Sequence, residues 1–509
     1  MPPDAGQLQG MEFGGGVGSS MVNPLVLLVV LLAGALICFG TRNKSIAAFL
    51  ATAILIPMDQ VLLLGPFHFP MLRLLALFGL IRILWAKLSG KEKIFSGGMN
   101  GIDKAVIALT LFTAVDGVLL WRETGEVIYQ LGNLYTAFGV YFLLRFLIRD
   151  EEDVKQTLRV LACAAAVVAV LMTHEAMTGR NLFYSGMGGS RAAMYGTMLG
   201  RDGHARATGP FGHPNLAGTF GGILFPLFTG LWWKEKKDRK YAALGMAATI
   251  VIPLVTNSST ALFGLIGGAF VLCIWSLRRH MRKIRFGIVL TLVSLHLYMT
   301  SPVWHLISDV DLTGSSSSYH RYQLVNQCIR HFWGWALVGS KSYGLWGWDM
   351  WDLSNQYVAI ADPSGLVPLI CFLTILVLGF KYVGLARKAA EEERQQELLV
   401  WALGASLFAN VVAFFGISYF DQTIVVWYAL LAMICTVTQV ARNPESGPQN
   451  VVLADSDAIV RPWITPKPAV CQGRGKGEFK ERKAPALRLQ QNNSWAKMAQ
   501  KLYNTVATP

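Results

Sequence analysis

Residues 363–380 read PSGLVPLICFLTILVLGF, a stretch of 18 residues without a charged side chain. As an α-helix this stretch extends about 27 Å, close to the ~30 Å hydrocarbon core of a bilayer. The whole chain is similarly apolar, because 53% of the 509 residues are hydrophobic and only 15% are charged. Soluble domains carry about 25% charged residues. The composition therefore excludes a soluble, disordered or fibrous chain and predicts an all-α, polytopic integral membrane protein.

Similar apolar blocks of about 17–21 residues occur at thirteen places, which predicts about 12–13 transmembrane helices within residues 22–440. The blocks begin near Val22, Ile46, Pro70, Ala105, Val127, Thr157, His213, Tyr241, Ala261, Gly287, Pro363, Leu398 and Gln422. The second and third blocks meet at a tight turn around Pro66 and Pro70.

The net charge of +14 follows from 45 Lys and Arg against 31 Asp and Glu. If the blocks alternate in direction, 36 of the 45 cations lie on one side, which the positive-inside rule assigns to the cytoplasm. The cations of the opposite, external side are Arg122, Arg180, Arg191, Arg201, Arg206, Arg321, Arg330 and Lys341. Arg73 alone remains inside a block. This pattern predicts that the excess positive charge reflects the orientation of the helices in a lipid bilayer. It does not predict binding to nucleic acid.

The N-terminal and C-terminal segments of the chain differ in composition, and each predicts a different kind of segment. Residues 1–21 contain no Lys or Arg, so they lack the charged start of a cleavable signal peptide and are expected to form a short external segment. Residues 441–509 are basic and polar, which predicts a disordered cytoplasmic tail near anionic headgroups. Of the seven cysteines only Cys328 falls in an external loop, so neither a disulfide framework nor a metal cluster is expected.

Two external loops, 173–212 and 301–362, are long enough to carry a site. The first ends in Arg206-Ala-Thr-Gly-Pro-Phe-Gly-His213-Pro214-Asn215, at the start of an apolar block. Pro214 suits the first turn of a helix, and His213 or Asn215 is a candidate cap. Arg206 beside that positive helix end outlines an anion site, although a capped helix with a surface arginine fits the spacing equally well.

The second loop, expected to be helical, adds the cations Arg321 and Lys341 and several polar groups. The polar groups singled out as possible substrate contacts or bases are Asp352, Asn355, Gln356, Tyr357 and Asp362. The loop also holds six of the 15 tryptophans, at Trp304, Trp333, Trp335, Trp346, Trp348 and Trp351. Such rings form either an interfacial belt or flat faces that stack on sugars.

Charged residues inside apolar blocks are costly and are candidates for function. Arg73 and Asp116 both fall toward the external end of their blocks, where they form either a structural ion pair or a ligand site. His204, His213 and His320 are candidate bases, although a lone histidine is more often a cap or a packing residue.

The run from Arg206 through His213-Pro214-Asn215 to Gly218 resembles the signature of the bacterial O-antigen ligase and O-antigen (exopolysaccharide) polymerase superfamily. The later loop, with Arg321, Gly339, Gly344, Asn355 and Gly365, is similar to the family's second motif. The resemblance covers roughly residues 58–440.

This resemblance implies a GT-C-like, metal-independent glycosyltransferase of the bacterial inner membrane that needs no cofactor. Its donor would be a glycan on undecaprenyl diphosphate, and its acceptor a second glycan or a lipid-linked molecule. The arginines matching Arg206 and Arg321 would hold the diphosphate while an acceptor hydroxyl attacks the anomeric carbon with inversion.

The chain departs from the ligase pattern at two places. Ligases typically carry an arginine after the serine where this chain reads Asn257-Ser258-Ser259-Thr260, and a histidine where it has Ser354. The first departure removes a phosphate contact and the second removes the usual candidate base. The base is then Asp352, Asp362 or a loop histidine, and the choice between polymerase and ligase stays open.

A transporter or flippase for lipid-linked or anionic glycans is the alternative, with Arg73 and Asp116 on its pathway. Such folds usually show internal repeats, and no convincing repeat relates the halves of this chain.

Overall fold

The computed structural model describes residues 11–12, 16–17, 22–64, 67–90, 95, 97–188, 206–309 and 317–442. It is about 79% helical, which confirms the all-α class. Most of the predicted N-terminal segment 1–21 and of the predicted tail 441–509 lies outside the described residues, as do residues 189–205 and 310–316 of the two long loops.

The first half of the chain forms helices α1 to α7, joined by short loops. Their bounds are α1 Pro24–Phe39, α2 Arg42–Leu55, α3 Met71–Leu88, α4 Gly101–Trp121, α5 Thr124–Leu147, α6 Glu151–Thr178 and α7 Leu182–Met187. The second half continues with α8 Pro214–Trp232, α9 Arg239–Val255, α10 Ser259–Cys273, α11 Met281–Tyr298, α12 Leu306–Asp309, α13 Ser317–Arg330, α14 Phe332–Trp335, α15 Gln356–Ser364, α16 Leu366–Ala389, α17 Arg394–Ala413 and α18 Gln422–Arg442. Among the described residues, 3₁₀ helices lie at Lys236–Asp238, Ile274–His280, Val303–His305 and Tyr343–Leu345.

Helices α1–α6, α8–α11 and α16–α18 correspond one to one with the thirteen predicted blocks. Seven helical segments among the described residues are long and apolar enough to cross a membrane. They are Gly101–Trp121, Thr124–Leu147, Glu151–Thr178, Ser259–Tyr298, Leu366–Ala389, Arg394–Ala413 and Gln422–Gln439. The segment Ser259–Tyr298 joins α10 and α11 through the 3₁₀ turn. The chain is thus a multi-pass membrane protein by the length and composition of these helices.

Two short antiparallel hairpins accompany the helices. Strands β1 (Met11–Glu12) and β2 (Gly16–Val17) pair near the N-terminus, and β3 (Val61–Leu64) pairs with β4 (Phe67–Pro70). The second hairpin occupies the place of the turn predicted around Pro66 and Pro70. The fixed φ of Pro70 then leads directly into α3.

One end of the helix bundle is held together by ion pairs; we call it the basic end. Arg42 bridges Asp150 and Asp153, and Lys234 pairs with Glu151 at 2.7 Å. Glu397 accepts from Arg278 and from a second arginine, Arg387, at 2.9 Å each. These pairs join the start of α6 to the start of α2 and to the end of α8, and the start of α17 to the 3₁₀ helix after α10 and to the end of α16. The predicted alternation of helix direction accounts for this pairing.

The opposite end, which we call the pocket end, is joined mainly by hydrogen bonds to backbone carbonyls. The buried Gln422 amide, at the start of α18, donates to the carbonyls of Ile56 at 3.1 Å and Pro210 at 2.8 Å. Gln60 similarly accepts from the backbone N–H of Asn23 and donates to the carbonyl of Met187. The pocket end therefore positions the loop that precedes α8.

Residues 317–364 form a small lobe with its own apolar core at the pocket end. The core consists of Leu324, Cys328, Trp335, Met350, Val358 and Ala361. Gly339, with φ of 89°, lies so close to Pro363 that a Cβ there would meet the Pro363 carbonyl at 2.4 Å. Only glycine accommodates both constraints, and the close approach packs the turn at Gly339 against the end of α15.

Candidate functional site

A cavity of about 280 Å³ lies at the pocket end, between the helix ends and the lobe. The residues that line it are Arg206, His213, Asn215, Ser258, Ser259, His320, Arg321, Trp348, Asp349, Asp352, Ser354, Ile417, Ser418 and Phe420. The two arginines, which come from distant parts of the sequence, are therefore in one cavity. Its volume is at the small end of the range for ligand pockets, which is roughly 300–1,000 Å³.

Arg206 is held by two acceptors. Its Nε donates to the Thr256 carbonyl at 2.9 Å, and its Nη2 donates to Asn215 Oδ1 at 2.6 Å. The first contact fixes the arginine against the end of α9, and the second fixes it against the first turn of α8. The guanidinium is thus oriented before any ligand arrives, which limits the entropy lost on binding.

The turn after Arg206 is anchored by a buried carboxylate, Glu175, near the end of α6. Its Oε1 accepts from the Thr208 N–H at 3.0 Å and from the Thr208 hydroxyl at 3.1 Å, and its Oε2 accepts from the Gly209 N–H at 2.8 Å. Asn181 adds a bond from its amide to the Gly209 carbonyl at 2.7 Å. Four hydrogen bonds thus fix the backbone two to three residues beyond the arginine.

His213, one of the two caps that the sequence offered, caps α8. Its Nδ1 accepts from the Asn215 N–H at 3.1 Å, and Pro214 occupies the first helical position. Burial, together with the charge of Arg206, lowers the pKa of His213 to about 4. The imidazole is therefore neutral near pH 7 with its proton on Nε2, which suits a hydrogen-bond donor better than a general base.

His320 and Arg321 lie together near the start of α13, where both are more than nine-tenths buried. His320 Nε2 lies 2.9 Å from the Asp349 carbonyl, so this nitrogen carries the proton. Its Nδ1 lies 3.5 Å from the Ser354 hydroxyl. These contacts connect α13 to the segment 349–354 across the cavity wall.

Asp352 lies in a turn closed by its own N–H, which donates to the Asp349 carbonyl at 3.2 Å. Its side chain is exposed at the mouth of the cavity. Desolvation by the surrounding protein nevertheless raises the pKa of Asp352, and the charge of Asp349 raises it too, while His320 and Arg321 lower it. A carboxylate whose pKa is closer to neutral is a more effective proton acceptor when its reaction runs near pH 7.

Three predicted substrate contacts have structural partners instead and do not line the cavity. Asn355 caps α15 by accepting from the N–H groups of Tyr357 and Val358. Gln356 Oε1 accepts from the Tyr419 N–H at 2.6 Å, and the Tyr357 hydroxyl donates to the Val411 carbonyl at 3.2 Å. The Asn355 amide also donates to the Phe415 carbonyl at 3.4 Å, so Asn355 and Gln356 attach the lobe to the segment between α17 and α18, while Tyr357 attaches it to α17 itself.

Three further predicted residues also lie outside the cavity lining. Arg73 donates to the Thr136 hydroxyl at 3.1 Å and to the His68 carbonyl at 2.8 Å. Among the described ion pairs there is none between Arg73 and Asp116, so an ion pair is not the explanation of these two charges. The Lys341 ammonium lies 4.7 Å from the centre of the Trp121 ring.

Asp362 belongs to the lobe core rather than to the cavity. It is only 3% exposed, and burial raises its pKa to about 7, an effect reduced by a hydrogen bond with the Cys328 thiol. Its backbone carbonyl accepts from the Ser340 N–H at 2.8 Å. Asp362 therefore contributes to the lobe and has no described contact with the cavity.

The cavity includes residues that the sequence did not single out as ligands, chiefly Ser258, Ser259 and Phe420; its aromatic rim also contains Trp348, one of the six loop tryptophans. The backbone conformation of the described residues also draws attention to this region. Four non-glycine residues among those described have positive φ, and three of them, Asn257, Asp349 and Asp421, lie in or beside the lining. Such conformations concentrate at functional sites.

Among the described residues no group of three or more His, Cys, Asp or Glu is placed to hold a metal ion. No protein-family model matches the chain, and no curated protein matches it.

Proposed function

We propose that this protein is a membrane glycosyltransferase that polymerises or transfers a glycan carried on undecaprenyl diphosphate. The observation that carries the proposal is the cavity in which Arg206 and Arg321 lie together with the carboxylate of Asp352. Two arginines beside helix N-termini suit a diphosphate, because guanidinium groups pair with phosphate oxygens through two parallel hydrogen bonds.

The proposed topology follows from the two ends of the bundle. The basic end carries the many Lys and Arg that favour the cytoplasm, so the cavity opens at the external, periplasmic face of a bacterial inner membrane. All thirteen helices would cross the bilayer in a GT-C-like arrangement, with the lobe as part of the external loop 301–362 and the C-terminal tail in the cytoplasm.

In the proposed reaction an acceptor hydroxyl attacks the anomeric carbon of the donor sugar, and its proton passes to Asp352. The bond between that carbon and the phosphate oxygen breaks, and the lipid diphosphate leaves with the electron pair. Arg206 and Arg321 stabilise the negative charge that develops on it. Attack opposite to the leaving group inverts the configuration, and no metal or cofactor takes part.

The aromatic rim gives the proposed site a surface for sugars. Trp348 is 77% exposed and Phe420 is 39% exposed, although both line the cavity. Flat exposed rings next to a phosphate site suit the apolar face of a sugar ring. The neutral Nε2–H of His213 is a further donor for a sugar or phosphate oxygen.

The experiment uses purified full-length protein in liposomes that contain undecaprenyl-diphosphate oligosaccharide. Longer glycans indicate a polymerase, and conjugates with a second lipid acceptor indicate a ligase. Arg206→Ala and Arg321→Ala are expected to abolish product, and Asp352→Asn to lower kcat by about 10²–10⁴-fold. The matched controls are Arg330→Ala, on the exposed face of the same helix as Arg321, and Asp309→Asn, an exposed carboxylate.

Product that persists in both arginine variants would refute the site. Passage of intact substrate across the bilayer without new glycan would favour the transport alternative, for which the described contacts of Arg73 and Asp116 give no specific support. A reporter inserted after residue 315 should read external and one inserted at residue 237 should read cytoplasmic; the reverse would overturn the topology.

A further inference from the structure

Three large apolar side chains of the lobe are almost fully exposed. Trp333 is 90% exposed, Leu337 is 84% exposed and Leu345 is 86% exposed. The backbone stays helical past Trp333, because the Ala336 N–H donates to the Phe332 carbonyl at 3.0 Å. Trp333 and Leu337, four residues apart, therefore lie on one side of α14 and the turn that follows it. Adjacent exposed apolar side chains of this size mark a surface that another molecule or a membrane covers.

Leu345 belongs to a segment that packs against α14. It ends the 3₁₀ helix Tyr343–Leu345 and precedes Trp346. The Trp346 ring stacks on His331 with 4.6 Å between the ring centres, and a Cβ at Gly334 would meet the same ring at 3.7 Å. The two segments with exposed apolar side chains are thus neighbours in space. We call Trp333, Leu337 and Leu345 together the lobe patch.

Helix α16 shows at which level of the membrane the lobe patch lies. This helix, Leu366–Ala389, is long and apolar enough to cross a bilayer. Its first residue, Leu366, donates its N–H to the carbonyl of Ala336 at 3.0 Å, directly before Leu337 in the chain. Leu366 and Leu369 also pack against the apolar core of the lobe. The chain around Leu337 therefore lies where the apolar segment of α16 begins.

Helix α4, a second segment of bilayer length, indicates the same level. It ends at Trp121, and the ammonium group of Lys341 lies 4.7 Å from the centre of the Trp121 ring. Lys341 stands between Leu337 and Leu345 in the sequence. A tryptophan at the end of an apolar helix, with a lysine beside it, is typical of the boundary between hydrocarbon and lipid headgroups. Two helices that are distant in sequence thus meet the lobe at one boundary of the bilayer.

We propose that the lobe patch inserts into the lipid leaflet at the pocket end. Lipid is present at this level around a membrane protein, so the position of the patch selects the bilayer as its occupant. The Trp333 ring has an apolar body and a polar N–H, which suits the interfacial region. The side chains of Leu337 and Leu345 offer neither a flat ring nor a hydrogen-bonding group, so a glycan is a poor occupant of the same surface.

The contact with lipid gives the lobe a support outside the protein. The lobe supplies one wall of the cavity, through His320, Arg321, Trp348, Asp349, Asp352 and Ser354. Insertion of the lobe patch holds this wall beside the membrane surface. The inference does not rest on the proposed reaction and applies equally to a transporter.

The test places the photoreactive residue p-benzoylphenylalanine in the full-length protein, in place of Trp333, Leu337 or Leu345. Each variant is reconstituted in nanodiscs of phosphatidylethanolamine and phosphatidylglycerol and irradiated, and lipid adducts are measured by mass spectrometry. Val377, which is 66% exposed within α16, is the position of the positive control. Glu392, which is exposed in the charged loop after α16, is the position of the negative control.

The adduct yields at Trp333 and Leu337 decide the outcome. Each should exceed the yield at Glu392 by about tenfold or more, the preference for lipid over water that burial of one large apolar side chain provides. Each should also approach the yield at Val377, and Leu345 should follow the same pattern. Because the replaced side chains are exposed, the melting temperature should stay at the wild-type value.

Two results would overturn the inference. A yield at Trp333 or Leu337 no higher than that at Glu392 would show that the patch faces water. Crosslinks that join two protein chains, in place of lipid adducts, would identify a second copy of this chain as the occupant.

Discussion

The buried carboxylate of Glu175 offers a direct test of how the cavity is built. Glu175→Ala removes the acceptor of three hydrogen bonds that all come from Thr208 and Gly209. Those two residues directly follow the segment that carries Arg206. The substitution should therefore loosen the turn and disturb the arginine without touching any residue that lines the cavity.

The expected size of the effect follows from the donors left behind. Two backbone N–H groups lose their partner in a place where Glu175 itself is only 6% exposed. Each buried donor without a partner costs about 1–3 kcal/mol, so the free energy of unfolding should fall by about 2–6 kcal/mol. Glu175→Gln keeps an oxygen acceptor for Thr208 but turns its NH2 donor toward the Gly209 N–H, so the free energy of unfolding should fall by an intermediate amount.

The assay measures thermal unfolding of the purified protein in detergent, together with glycan formation in liposomes. The control is Glu126→Ala, because Glu126 accepts at 2.6 Å from the side chain of Gln130 and holds no loop. The free energy of unfolding of that control should fall by about 1 kcal/mol or less. Equal melting temperatures for Glu175→Ala and Glu126→Ala would show that the turn is held by other contacts and would refute the reasoning.

Three further outcomes are expected. Asn215→Leu removes the acceptor that orients Arg206 at 2.6 Å and should weaken pyrophosphate binding about tenfold, whereas Asn215→Asp should keep the arginine in place; calorimetry that ranks the two equally would contradict this. Unfolded His213 takes up a proton near pH 6.5 but the folded residue does so only near pH 4, so its contribution is complete above pH 6.5 and about 3 kcal/mol is lost as the pH falls to 4. His213→Asn should flatten that part of the stability curve. For Asp362 the sign is opposite: the unfolded carboxyl ionises near pH 3.8 and the folded one near pH 7, so up to about 4 kcal/mol is lost as the pH rises between these values. Asp362→Asn should accordingly raise the melting temperature at pH 8 and not at pH 4.

The positions of the helices were predictable because apolar blocks of bilayer length leave few alternatives. The cap of α8 was predictable for a similar reason, since His213-Pro214 is a local signal with a local consequence. For ion pairs such as Lys234 with Glu151, the sequence predicted only the side of the membrane on which the cation lies. Their partners are set by which helices pack together.

The assignment of polar residues to the cavity was less predictable, because their partners are distant in the chain. Nothing near Gln356 in sequence indicates that it accepts from Tyr419, and nothing near Asn355 distinguishes a cap from a sugar contact. Ser258 shows the opposite error. A serine among small residues gives no indication in the sequence that it lines the cavity.

The left-handed residues around the cavity have a consequence for protein engineering. Glycine adopts positive φ freely, so Asn257→Gly, Asp349→Gly or Asp421→Gly would relieve local backbone strain. A family of proteins that keeps side chains at such positions trades stability for activity there. A screen for stabilising glycine replacements over the whole chain would consequently mark the surroundings of the cavity in this protein before any ligand had been identified.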